Sequence, residues 1–151
     1  MGYRSLTRVV AIIIVAAGLA GCGPKLKPPT LRVDSIAVKG LRLTGVGLDV
    51  RFQIRNTNPD DLLIEKFEYE LELNGKALGR GYYTDAVRLR GFGEAELTSR
   101  FDLDFLKLPA GIKAILERDE VDAEANGTFY VVSGDKSARL PFHGAGRVPL
   151  R

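Results

Sequence analysis

One cysteine, one histidine and one hinge rich in asparagine and aspartate are the places in this chain where residue type and spacing invite chemistry. Cys22 has no second cysteine to pair with, so an intramolecular disulfide is excluded and its role must come from its position. His143, as the single histidine, leaves no histidine cluster to hold a metal. In the hinge Asn56-Thr57-Asn58-Pro59, the asparagine side chains suit hydrogen bonds to nearby backbone and Pro59 keeps Asn58 extended. Asp60 and Asp61 follow with oxygen atoms of the kind calcium takes, but the remaining ligand spacing of a calcium loop is missing, and solvated turn acids are the expectation. No serine sits in a nucleophile elbow. The carboxylates of Glu117, Asp119 and Glu120 fall where exposed charge is expected. There is no GxGxxG after a strand and no phosphate loop. These residues imply no catalytic site, no cofactor and no metal, and make Asn56, Asn58 and Pro59 a structural turn.

The segment around Cys22 supplies the missing role. Met1 to Arg8 carries two arginines and no acid, Val9 to Gly18 is an uninterrupted apolar or small run, and Leu19-Ala20-Gly21-Cys22 follows. This is the layout of a secretory signal. The apolar run falls well short of the ~20 residues that span a bilayer as a helix. Leu19, Ala20, Gly21 and Cys22 together resemble the bacterial lipobox. That resemblance implies cleavage before Cys22, diacylglyceryl transfer to its sulfur and a lipid anchor, with residues 1–21 removed as the signal peptide. Lipid chains contribute ~0.8 kcal/mol per buried CH2, and two or more give stable attachment. Pro24, Pro28 and Pro29 forbid helix, so residues 22–30 read as a lipidated cysteine with a proline-rich tether. Gly23 rather than aspartate after the cysteine favours, by analogy with enteric bacteria, the periplasmic face of the outer membrane. The expected partner is thus the membrane, reached through the lipid on Cys22, with lipids or envelope proteins beyond it.

The rest of the chain has the length of one ordinary domain, and its 22 basic and 19 acidic residues include Arg4 and Arg8 of the signal. From Cys22 onward 20 bases face 19 acids, so no basic excess remains for nucleic acid.

Alternation dominates residues 31–151. Val46, Leu48, Val50, Phe52 and Ile54 occupy every second position up to the hinge, and Phe67, Tyr69, Leu71 and Leu73 repeat the pattern beyond it. Asn74-Gly75 closes that run with a hairpin dipeptide. If the two runs pair, Arg51 and Arg55 would face the Glu68, Glu70 and Glu72 stripe. Leu31 to Val38 reads as a short first strand, with Val38 shifting its phase, and Leu78 to Leu89 as one continuous strand. Ala95, Leu97, Ser99, Phe101, Leu103 and Phe105 give the longest alternation. Ile112, Ile115 and Leu116 change the period to that of a helix spanning about Pro109 to Glu117. Val121 to Val131 and Ala138 to Phe142 restore period two. The pattern predicts a mainly β fold, an immunoglobulin- or fibronectin-like antiparallel β-sandwich of about seven strands with one short inserted α-helix.

The hinge Asn56-Thr57-Asn58-Pro59, then Leu62-Leu63-Ile64, Leu71-Glu72-Leu73-Asn74-Gly75, Leu78 and Gly81 resemble the WHy domain of the late embryogenesis abundant type 2, desiccation-related family. Gly127-Thr128-Phe129, Leu140-Pro141-Phe142 and Gly146-Arg147-Val148-Pro149 resemble its closing strands, so the likeness covers about Leu31 to Leu150. The hinge order departs from the family's commoner Asn-Pro-Asn, while its turn chemistry survives. The resemblance implies a sandwich of antiparallel sheets with one helix, no catalytic activity, and a protective role under water or envelope stress. An alternative within it is a lipid or hydrophobic-ligand carrier, with a groove between the sheets flanked by the helix and the glycine-bearing strand Gly45 to Ile54.

Overall fold

The computed structural model describes residues 25–151. Eight strands follow in chain order: β1 (Thr30–Lys39), β2 (Gly45–Arg55), β3 (Leu62–Leu73), β4 (Lys76–Tyr83), β5 (Val87–Leu89), β6 (Glu94–Asp104), β7 (Glu120–Ser133) and β8 (Lys136–Pro149). A 3-10 turn, Phe105–Lys107, and a single short helix, α1 (Ile112–Leu116), lie between β6 and β7. All pairings between these strands are antiparallel. They form a three-stranded sheet in the order β1-β2-β6 and a five-stranded sheet in the order β4-β3-β7-β8, with β5 also on β3. The two sheets make the expected sandwich.

Alternation becomes packing most directly in β2, whose Val46, Leu48, Val50, Phe52 and Ile54 are all buried against the other sheet. Facing them, Phe67, Tyr69, Phe129 and Phe142 bring aromatic rings edge-on or tilted, with centroids 4.4 to 5.8 Å apart in the contacts of Phe52 with Phe67 and of Phe129 with Phe142. The space between the sheets is filled along this strand. Both sheets are built from strands between Thr30 and Pro149, and the buried core they enclose runs from Leu31 to Leu150.

One polar bridge crosses the interior. The Tyr69 hydroxyl, on β3, donates to Ser99 Oγ on β6 at 2.8 Å. Burial pushes the Tyr69 phenol up to about 12, and the bond to Ser99 offsets part of that rise. The folded state therefore keeps this proton more tightly than the unfolded chain, and unfolding releases it once the pH passes the ordinary tyrosine value. Stability from this group is fully present below pH 10 and falls as pH rises toward about 12. The loss amounts to roughly 3 kcal/mol by linkage. Urea midpoints measured across that range are expected to drop for the wild type, and Tyr69→Phe is expected to remove this part of the slope.

Several local features depart from the sequence pattern. In β1 the phase shift comes earlier than Val38: a bulge between Val33 and Ser35 turns Ile36 inward, where it is fully buried. The continuous strand expected from Leu78 to Leu89 is two, because Thr84 to Ala86 set three residues against the two positions between Ile64 and Phe67. On its other side β3 has a bulge with β7 at the same place, between Ile64 and Lys66. The helix starts at Ile112 and ends at Leu116, shorter than predicted, because Gly111 at its N-cap has a left-handed backbone (φ 88°) and Pro109 belongs to the preceding turn. The last strand runs well past Phe142 to Pro149, and Leu150 bridges to Ile36, tying the two sheets together along one side.

Largest of the corrections is that β2 and β3 do not pair. They belong to different sheets, and the hinge carries the chain across the sandwich. Arg51 and Arg55 accordingly meet Glu96 (3.3 Å) and Glu94 (3.9 Å) on β6, while Glu70 meets Arg80 (3.0 Å) on β4. These pairs are exposed and contribute at most about 1 kcal/mol each. Asn74-Gly75 behaves as expected, with both residues at positive φ (46° and 74°), as a tight primed hairpin turn requires.

Candidate functional site

The hinge lies at the end of the sandwich where β1 begins, β2 ends and β3 and β6 begin. Asn56 is fully buried there and Asn58 nearly so. Each asparagine amide offers two donors and one oxygen with two lone pairs. Asn56 uses all of these. Its Nδ2 donates to the carbonyls of Asp60 (2.8 Å) and Arg90 (3.0 Å), and its Oδ1 accepts from the Asn58 backbone N–H (2.9 Å) and Asn58 Nδ2 (3.1 Å). Its backbone N–H donates to the Gly93 carbonyl (2.8 Å), and the Asn58 carbonyl accepts from Phe92 (2.9 Å).

Asn58 carries the network outward. Its Oδ1 accepts from the Lys27 backbone N–H at 2.8 Å, and its Nδ2 donates to the Lys27 carbonyl at 2.9 Å. One side-chain amide thus pairs with both backbone groups of a single residue, as a neighbouring strand would. Thr57 Oγ1 donates to the Pro28 carbonyl at 3.0 Å. Asp61 accepts from the Gly91 N–H (3.1 Å), and Ser133 Oγ donates to the Asp61 carbonyl (2.8 Å). Pro59 is exposed at the tip of the bend, and its carbonyl lies so close to Gly91 that a Cβ there would overlap it.

The predicted turn residues Asn56, Asn58 and Pro59 therefore do come together, and they do more than turn the chain. They grip residues 27–28, so from Lys25 the segment read as a proline-rich tether already lies on the domain, with Leu26 packed on the core and Pro29 buried. Nothing near Lys27 announces that contact in the sequence. Leu19, Ala20, Gly21 and Cys22 lie outside the described residues.

Elsewhere the candidate groups stay apart. Asp60 and Asp61 are exposed, and among the described residues no three His, Cys, Asp or Glu side chains gather as a metal-holding group. His143 is exposed on β8, where Nδ1 meets Asn126 Oδ1 and lies 3.4 Å from Glu124 Oε1. Three leucines that pattern reading passed over, Leu41, Leu43 and Leu106, stand in loops at the opposite end and are 71%, 102% and 91% exposed. Their signal in the sequence is alternating leucine inside a glycine-flanked loop, Gly40-Leu41-Arg42-Leu43-Thr44-Gly45.

The solution structure of an Arabidopsis thaliana protein is similar to this chain with a TM-score of 0.60 at 14% identity, over 83% of this chain and 84% of that one. A protein from Archaeoglobus fulgidus, known from a crystal structure, gives a TM-score of 0.46 at 13% identity, over 84% of this chain and 98% of that one. A solution structure described as that of a late embryogenesis abundant protein gives 0.47 at 18% identity, over 82% of this chain and 71% of that one. At these identities the first likeness is one of fold. No curated protein sequence matches the chain significantly. The sequence profile of the late embryogenesis abundant protein family matches residues 51–146, more than half of the chain, and takes in the hinge, β3 to β7 and most of β8. The chain belongs to the late embryogenesis abundant family.

Proposed function

We propose that this is a non-catalytic lipoprotein of the bacterial cell envelope, held to the membrane through Cys22, whose WHy-like sandwich protects envelope components during desiccation or osmotic stress. The observation that carries this reading is the grip of Asn58 and Thr57 on Lys27 and Pro28. A passive linker needs no such hold. A domain suspended from a lipid does, because the clamp fixes where the chain leaves it and turns the hinge end toward the anchor. Lys27 stands only five positions after Cys22, a reach of at most about 18 Å. Family membership supports the protective half of the reading, and the Leu19-Ala20-Gly21-Cys22 quartet supports the anchored half.

The two halves are tested separately. In cells fed a labelled fatty acid, the wild-type chain is expected to carry label and run as the processed form, whereas Cys22→Ser is expected to accumulate as unlabelled precursor. Normal maturation of that variant would sink the anchor. Cells lacking the protein are expected to lose viability after drying or osmotic upshift, and unchanged survival would remove the protective role.

A further inference from the structure

We propose that the end of the sandwich opposite the hinge is a docking surface for an anionic lipid surface, formed by Leu41, Leu43 and Leu106 among Lys39, Arg42 and Lys107. The three leucines are the most exposed large apolar side chains among the described residues. An apolar patch left in water marks an interaction site more often than a defect of packing.

The loops that present them are built rather than loose. The Arg42 N–H donates to the Gly45 carbonyl at 2.8 Å, and the Phe105 N–H donates to the Thr44 carbonyl at 2.9 Å, joining the β1–β2 loop to the 3-10 turn. Asp104 caps that turn, its Oδ1 accepting from the Leu106 N–H at 3.0 Å. Gly40, with φ 59°, lets the chain leave β1 sharply. Leu106 and Leu43 thus sit on adjoining tips, each pointing its apolar side chain to solvent.

Charge and shape select the occupant. Around the two loops three cations, Lys39, Arg42 and Lys107, face two exposed acids, Asp104, whose Oδ1 caps the turn, and Asp102, which lines the same depression as Arg42, leaving a cationic excess. Leucines on narrow tips with lysine and arginine at their base suit insertion between headgroups, the cations resting at phosphate level. The inference does not depend on Cys22: the leucine end lies about 33 Å along β1 from the clamped tether, beyond the reach of residues 22–27, so in the anchored protein it meets a lipid surface other than the one that holds Cys22.

Flotation of residues 25–151 with phosphatidylglycerol–phosphatidylcholine vesicles, and with phosphatidylcholine alone, tests it. Binding is expected to favour the anionic vesicles and to weaken with salt. Leu43→Asn with Leu106→Asn is expected to weaken it by about tenfold or more per leucine, with an unchanged melting temperature. Arg42→Glu with Lys107→Glu should bring binding to the anionic vesicles down to the phosphatidylcholine level. The chain has no tryptophan, so Leu43→Trp provides a single reporter whose emission is expected to shift to the blue on the anionic vesicles. Wild-type protein that stays unbound, or leucine variants that bind as well as wild type, would overturn the proposal. So would a solution dimer dissociated by the leucine variants without vesicle binding, which would assign the patch to a second copy of the chain.

Discussion

Replacing Asn56 by alanine is expected to lower the stability of the domain by about 3 kcal/mol, or roughly 10 °C in melting temperature. The change deletes four hydrogen bonds at a fully buried position. It also strands the carbonyl of Asp60 and the N–H of Asn58 and leaves the Arg90 carbonyl only its bond from the Gly93 N–H, and stranded groups cost more than the bonds themselves contribute. A domain of this size has on the order of 10 kcal/mol in total, so the loss is a large share of it. Asn56→Asp sharpens the test. Its shape is nearly that of asparagine, but at neutral pH the introduced carboxylate has no proton to give to two carbonyl oxygens that lie where the amide donated. It is expected to destabilise at least as much as alanine at neutral pH. Because its folded pKa would be raised above the unfolded value, the variant should recover stability relative to wild type as pH falls through that raised pKa and a donor returns. Chemical denaturation of the three proteins at neutral and mildly acidic pH checks both statements. Equal loss at both pH values would show that volume, not hydrogen bonding, is what Asn56 supplies.

That prediction marks the limit of what the sequence could disclose. Alternation located the strands because each has one face on the core and one in water, and in β2 and β6 every second residue from Val46 to Ile54 and from Leu97 to Leu103 is buried. Alternation names the face of a strand, though, and not its partner. Arg51 and Arg55 found their carboxylates on β6, more than thirty residues away, and not on the run just beyond the hinge. Bulges hid the phase of β1 and the division of β4 from β5 for a related reason: one extra residue reverses the faces without leaving any unusual residue type behind.

The hinge was legible as a turn and illegible as a clamp. Asn56, Asn58 and Pro59 have the residue types of a local loop, and their bonds to one another are local. The rest of the network reaches Lys27 and Arg90, 31 and 34 positions away along the chain. Those partners contribute only backbone groups, which every residue type possesses, so no side-chain pattern at Lys27 or Arg90 could reveal them. The same reasoning explains the leucine end. Leu41, Leu43 and Leu106 have core-forming side chains, and only the turn bonds of Arg42, Phe105 and Leu106 show that these leucines are held in water.

Glycine is where sequence and structure differ most usefully, and Gly127 and Gly146 make the point testable. Both lie within strands of the five-stranded sheet, Gly127 on β7 and Gly146 on β8, and both belong to stretches that resemble the family's closing strands. Nothing in the sequence separates their roles. In the fold, a Cβ on Gly127 would overlap the carbonyl oxygen of Glu68 on β3 and come within 2.7 Å of Phe142 Cζ on β8. Glu68 cannot yield without breaking the β3–β7 ladder, and Phe142 is held by the rings of Phe129 and Phe67. Gly127→Ala is therefore expected to cost about 3 kcal/mol or more, at the upper end of what overpacking does. A Cβ on Gly146 would meet nothing within 4 Å, and its φ lies outside the left-handed range. Gly146→Ala is expected to be neutral or to stabilise by up to about 1 kcal/mol, by restricting the unfolded chain. Urea denaturation of the two variants beside wild type decides the matter. Similar midpoints for both would mean that β3, β7 and β8 can shift enough to admit a methyl group, and that the filled interior is less tightly fixed than the ring contacts of Phe67, Phe129 and Phe142 require.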